Sequence, residues 1–344
     1  MKTYRYIAIL ILLAGLLILA ACTKSTSTPT PEPEVKYDAS FLQLFAALPQ
    51  EATPTGYTIT EEIVDLGRML YYEPRLSVNN QMSCNTCHPL NTYGMDGLRF
   101  SFGHAGDPVG RNSPTSYNAA LHVAQFWDGR AADVEAQAKG PILAGGEMGM
   151  PDADTVVGAI KQIPGYLPYF EAAFPGEDDP INYDNVGKAI GAFERRLITP
   201  GRFDKLLQGD ETAFNEQEKH GLALFVNTGC ATCHNGAALG GSMYAKLGAA
   251  ESYAGSDLGR FNVTGNEADK FVFKVPSLRN IAQTGPYLHD GSIPTLEDMV
   301  KIMARHQLGK QLTASEVDDI VTFLRALTGE VPADYIARPE LPAS

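Results

Sequence analysis

Apolar residues recur at helical spacing in four well-marked stretches of the chain. Ile63, Leu66 and Leu70 share one face of a helix predicted over Glu61 to Tyr72, with Thr58 and Glu61 spaced as a capping box at its start. Val186, Ile190, Phe193 and Leu197 mark a second helix, which Pro200 should stop because it lacks the N–H that a further turn needs. Asn215 with Glu218 opens a third, carrying Leu222, Phe225 and Val226. Thr313 with Glu316 caps a fourth through Val317, Ile320, Leu324 and Leu327, and Gly329 lies just past its end. Leu296, Met299, Val300 and Met303 also share a helical face. Period-two alternation is scarce, with Lys270 to Val275 the best strand candidate. The Pro- and Gly-rich stretch from Pro74 to Tyr117 reads as loop. The expectation is a mainly α fold with long loops and little β.

The start of the chain follows a different pattern. Lys2 and Arg5 precede an uncharged apolar run from Ile7 to Ala21. A membrane span needs about 20 such residues, so this shorter run suits an export signal instead. It ends in Leu19-Ala20-Ala21-Cys22, which resembles the bacterial lipobox and makes Cys22 the expected lipidated residue of a membrane-anchored lipoprotein. Thr23 to Glu34 has too few apolar residues to bury and reads as a tether.

Composition narrows the class. The 344 residues are 44% hydrophobic and 19% charged, with 33 Gly and 22 Pro, which excludes a coiled coil and a wholly disordered chain. The formal net charge is −13, unsuited to phosphate backbones and better matched to a basic protein partner.

The five cysteines then fix the chemistry. Apart from Cys22 they form two copies of one pattern, Cys84-Asn85-Thr86-Cys87-His88 and Cys230-Ala231-Thr232-Cys233-His234. Cys-x-x-Cys followed directly by His is the attachment signature of haem c. The thiols form thioethers with the haem vinyl groups, and the adjacent imidazole is then held against the iron as proximal ligand. Two copies with no spare cysteine outside the lipobox point to two covalently bound haems. The expected organisation is a signal peptide over residues 1–21, a tether over 22–36, an N-terminal haem domain over 37–205, and a C-terminal haem domain with its tail over 206–344.

The sixth ligand of each iron decides between electron transfer and chemistry. His88 and His234 are proximal, leaving His104, His122, His220, His289 and His306, together with Met299 and Met303. His104 in its Gly-rich loop ranks only slightly above His122, and residue chemistry alone leaves the distal ligands open.

From about Glu61 to Gly329 the chain resembles the bacterial dihaem cytochrome c peroxidases. The resemblance is carried, in order, by Leu66-Gly67-Arg68, Arg75-Leu76-Ser77, Arg111-Asn112-Ser113-Pro114-Thr115, Phe126-Trp127-Asp128-Gly129-Arg130-Ala131, Gln137-Ala138-Lys139-Gly140-Pro141, Glu147-Met148, Val275-Pro276-Ser277-Leu278-Arg279-Asn280 and Gly285-Pro286-Tyr287-Leu288-His289-Asp290-Gly291. It implies reduction of H₂O₂ to water, with electrons from a small redox protein such as a cytochrome c or a copper protein. The N-terminal haem, held by His88, would react with peroxide, with His104 as a displaceable distal ligand. The C-terminal haem, held by His234 and Met303, would receive electrons, because a thioether favours ferrous iron. Glu147 corresponds to the distal acid/base, Gln137 to a hydrogen-bonding partner of the peroxide oxygens, and Trp127 to the residue between the haems. One Ca²⁺ is implied on the Asn112 side chain and the Thr284 and Pro286 carbonyls, along with a periplasmic location and a homodimer. Two other activities fit the haem motifs: a dihaem electron-transfer protein, and the related branch that oxidises tryptophan on a partner protein. That branch is associated with Tyr rather than Met at the second haem.

Overall fold

The structure is a computed structural model that describes residues 35–343. The expected signal peptide, Cys22 and the tether up to Glu34 lie outside those residues. Six helices have ten or more residues among the described positions: α1 (Glu61–Tyr71), α2 (Val134–Leu143), α3 (Tyr183–Glu194), α4 (Glu216–Thr228), α5 (Leu296–Leu308) and α6 (Ala314–Ala326). The strands are β1 (Tyr244–Lys246) and β2 (Val272–Lys274), an antiparallel pair with Ala245 opposite Phe273. The fold is mainly α, with little β. No helix among the described residues is long and apolar enough to cross a membrane.

Local signals set most of the long helices. The capping boxes of α4 at Asn215/Glu218 and of α6 at Thr313/Glu316 form as the sequence predicts. At α1 the cap is Thr60, whose hydroxyl accepts from the Ile63 N–H, rather than the expected Thr58/Glu61 box. Both threonines are chemically suitable, and the turn that places one at the first helical N–H groups decides between them.

Two hydrophobic cores form, and they are built alike. α1 packs on α3 in the first, and α4 on α6 in the second. Each crossing depends on a glycine. A Cβ on Gly67 would lie 1.8 Å from the Ala189 carbonyl oxygen, with Phe193 next in line. A Cβ on Gly221 would lie 2.0 Å from the Asp319 carbonyl oxygen, with Phe323 next in line. In both crossings the bulky residue stands four positions after the contacted carbonyl, so the same close helix contact is made twice. Phe193 and Phe323 are fully buried there.

The two ends of the described residues cross over between the cores. Phe45 belongs to the second core, with Val35, Tyr37 and Leu42 packed against it. The tail returns to the first: Ile336 is part of that core, the Tyr335 ring stacks on Phe193 at 5.0 Å, and the Tyr72 hydroxyl donates to the Ile336 carbonyl at 2.6 Å. Asp204 pins the junction. Its carboxylate accepts from both guanidinium NH₂ groups of Arg279 and from the Leu48 and Gly201 N–H groups, at 2.8–3.0 Å.

Candidate functional site

Each core carries a cavity built around one Cys-x-x-Cys-His motif. Cys84 to Cys87 form a single helical turn, and the His88 N–H closes onto the Cys84 carbonyl at 2.9 Å. In the second motif α4 ends at Gly229, and the His234 N–H closes onto the Cys230 carbonyl at 3.0 Å. None of the four motif cysteines is paired in a disulfide.

The first cavity brings together Cys84, Cys87, His88, Gln137, Glu147 and Trp127. Gln137 comes from α2, whose N-cap is Asp133, and Glu147 from the loop that follows it. Burial pushes the Glu147 carboxyl above its usual range, and Arg130 pulls it partly back. His104 is not among the residues lining this cavity. Its ring nitrogen Nε2 lies 3.1 Å from the Gly145 carbonyl, and its backbone N–H donates to the Glu147 carbonyl at 2.7 Å. The loop bearing the expected displaceable ligand is thus hydrogen-bonded to the segment bearing the expected acid/base, with the imidazole turned onto Gly145.

The second cavity brings together Cys230, Cys233, His234, Met299 and Met303. Both methionines project into it from α5, so the structure places the two together without ranking them. Asn112, Thr284 and Pro286 line the same cavity. The Asn112 amide nitrogen donates to the Leu98 carbonyl at 3.0 Å, and its backbone N–H to the His289 carbonyl at 2.8 Å. Among the described residues no group of three or more His, Cys, Asp or Glu is placed to hold a metal ion.

Trp127 lines both cavities, and its indole N–H donates to the Asn112 carbonyl at 2.8 Å. Behind it stands His289, edge-on to the indole at 6.4 Å and stacked on Phe273 at 4.2 Å. Arg111 ties the surroundings together through Asp128 at 2.6 Å and Asp257 at 2.7 Å. His220 and His306 are engaged elsewhere, by Asp319 and by the Glu251 carbonyl.

The donor sets fit covalently bound haem. Burial holds His88 and His234 on the neutral, ligating side, with His234 pulled down to about 4. His234 Nδ1 donates to the Leu239 carbonyl at 3.1 Å, which leaves Nε2 as the lone-pair nitrogen for iron.

Three features of these cavities went unread in the sequence: Glu194 in the first, Lys274 with His122 in the second, and the Arg111 bridge. Glu194 is fully enclosed, and burial is the main cause that pushes its carboxyl up to about 8. Nothing in local spacing marks any of them, because each owes its role to partners far away in the chain.

The family description "Di-haem cytochrome c peroxidase" matches residues 61–212, and "Cytochrome c" matches residues 218–328. The chain is 43% identical over 308 residues to the cytochrome c551 peroxidase of Pseudomonas aeruginosa, covering 88% of each. It is 45% identical over 276 residues to the cytochrome c551 peroxidase of Nitrosomonas europaea, covering 79% of this chain and 81% of the relative. A solved MauG-like protein associated with microbial copper homeostasis superposes with a TM-score of 0.76 at 28% identity, covering 85% of this chain and 97% of that one. With two cytochrome c-like halves, each presenting thiols and a neutral imidazole to its own cavity, this chain belongs to the di-haem cytochrome c peroxidase family.

Proposed function

We propose that the protein is an exported peroxidase that reduces H₂O₂ with two electrons and two protons to two waters, drawing the electrons from a small redox protein. The observation that carries it is the meeting of Glu147 and Gln137 with His88 in one cavity. A haem held there by Cys84, Cys87 and His88 would bind peroxide and supply electrons for breaking the O–O bond. Glu147 takes the proton from the inner oxygen and returns it to the outer one. The Gln137 amide hydrogen-bonds the oxygens without changing charge. His234 and Met303 hold the iron that takes electrons from the donor, and Trp127 stands between the two centres.

In the same reading His104 would be a displaceable ligand of the first haem, released when the second centre is reduced. Support for an off position comes from the seat its ring already has against Gly145 and Gly149. A Cβ on Gly149, whose φ is +74°, would lie 2.4 Å from His104 Cδ2. Gly149→Ala therefore evicts the imidazole and costs a hydrogen bond of about 1 kcal/mol. With its second haem reduced, the variant should then bind cyanide or peroxide roughly fivefold more slowly or worse than the parent in the same state, measured by stopped flow. An unchanged rate removes the seat from the switch.

Met303→Ala should abolish the thioether-ligated spectrum of the reduced second haem and lower its potential, while Met299→Ala leaves both as they are. The reverse pattern would exchange their roles. Asn112 with the Thr284 and Pro286 carbonyls offers oxygen donors suited to Ca²⁺. Attachment through Cys22, a periplasmic location and a homodimer complete the proposal. Steady-state peroxide reduction with reduced cytochrome c, run with and without prior reduction of the enzyme, tests it directly. Absence of turnover under both conditions, with both haems bound, rejects it in favour of an electron carrier.

A further inference from the structure

Lys274 is charged, buried and short of a counter-charge. It is 8% exposed and lines the otherwise largely apolar second cavity. Its backbone N–H bonds the Trp127 carbonyl at 2.8 Å, which fixes the end of β2 beside that residue. Its Nζ meets His122 Nδ1 at 3.0 Å. Burial alone acts on its titration, pulling the ammonium down to about 8, and no carboxylate among the described residues restores it. His122 adds no charge: burial and the Lys274 cation hold it neutral. An ammonium in such surroundings keeps two further N–H donors and is costly to bury unless an anion meets it.

Three arginines of these surroundings are neutralised by the protein itself, whether buried (Arg279), half-buried (Arg111) or exposed (Arg130). Arg111 is held between Asp128 and Asp257, Arg130 shares Asp128 at 3.1 Å, and Arg279 pairs with Asp204 at 2.8 Å. The anion for Lys274 must therefore come with whatever fills the cavity. Haem c retains two carboxylates, its propionates, after the vinyl groups have been used for attachment.

We propose that the Lys274 ammonium, backed by His122, is the counter-charge for a propionate of the haem attached at Cys230 and Cys233, and that this pairing raises that haem's reduction potential. The inference rests on the haem assignment at His234 and not on peroxide chemistry. A propionate's negative charge favours ferric iron, and a cation that cancels it favours ferrous iron. The pairing thus adds to the thioether of Met303 in separating the two centres.

The test uses the full chain with both haems and compares Lys274→Met and Lys274→Arg with the parent by spectroelectrochemical titration. At fixed potential, Lys274→Met should lower the ferrous-to-ferric ratio at the second haem about tenfold, a midpoint 59 mV lower for one electron. The first haem should be unchanged, and Lys274→Arg, which keeps the cation, should stay close to the parent. The propionate bending band in resonance Raman should move in Lys274→Met as well. An unmoved midpoint in Lys274→Met with two haems attached overturns the proposal. If that variant does not mature, a crystal structure of the loaded parent decides. A propionate oxygen 2.7–3.2 Å from Nζ upholds the pairing, and propionates turned away from it refute it. Peroxide turnover enters none of these readouts. A shifted midpoint in a protein without turnover keeps this inference and sinks the proposed function, whereas full turnover with a midpoint indifferent to Lys274 does the opposite.

Discussion

Glu147→Gln is expected to keep both haems and lose peroxide turnover by about 10²- to 10⁴-fold, the usual contribution of a positioned acid/base group. The substitution preserves shape and hydrogen-bonding capacity, so the loop after α2 should hold its course. That loop is fixed by backbone contacts the side chain does not make: the Glu147 N–H to the Ala144 carbonyl at 2.9 Å, and its carbonyl to the His104 N–H at 2.7 Å. An amide cannot accept a proton and return it, so only the transfer step is removed. The enclosed setting that raises the Glu147 carboxyl also brings its affinity for a proton closer to neutrality, which suits a group that must both take and give. Haem content by pyridine haemochrome and steady-state turnover with reduced cytochrome c measure the two halves of the expectation. Near-parental turnover would strip Glu147 of its role.

Asp204→Ala should destabilise the protein by about 3–5 kcal/mol, the cost of removing one partner from a buried ion pair. Arg279 is 2% exposed, and burial pulls its guanidinium down despite the opposing pull of Asp204, so the charge is held there at a loss that Asp204 offsets. Without the carboxylate, two guanidinium NH₂ groups and the N–H groups of Leu48 and Gly201 lose their acceptor together. Guanidinium denaturation followed by far-ultraviolet circular dichroism should show the midpoint fall. The double variant Asp204→Leu/Arg279→Met should regain part of the loss, because no isolated charge remains. A loss under 1 kcal/mol in Asp204→Ala would mean that water or local movement satisfies Arg279.

The elements legible in the sequence were those with a signal confined to a few neighbouring residues. The boxes at Asn215/Glu218 and Thr313/Glu316 are of this kind, and α4 and α6 begin where they predict. The shorter helices Ala153–Lys161 and Leu167–Ala173 escaped notice. Val156 and Ile160 are the only buried residues of the first of these, too few to establish a period. For the candidate site, residue types and order pointed to Gln137, Glu147 and Trp127 through resemblance. Cavity lining then joined them to His88 but left His104 outside, because ring placement depends on Gly145 and Gly149 across a loop.

The linear order of residues by itself pointed to two haems and to the Cys84–His88 and Cys230–His234 motifs as the places to attach them. Each attachment lies within five consecutive positions, where chain connectivity alone sets the geometry. Only the tertiary structure decided that Lys274 faces His122, 152 positions away, that Arg111 reaches Asp257, and that each described end of the chain packs on the opposite core. Burial makes those pairings matter, by removing the water that would otherwise satisfy every charge. Burial is a property of the packed whole, and no short window of sequence contains it.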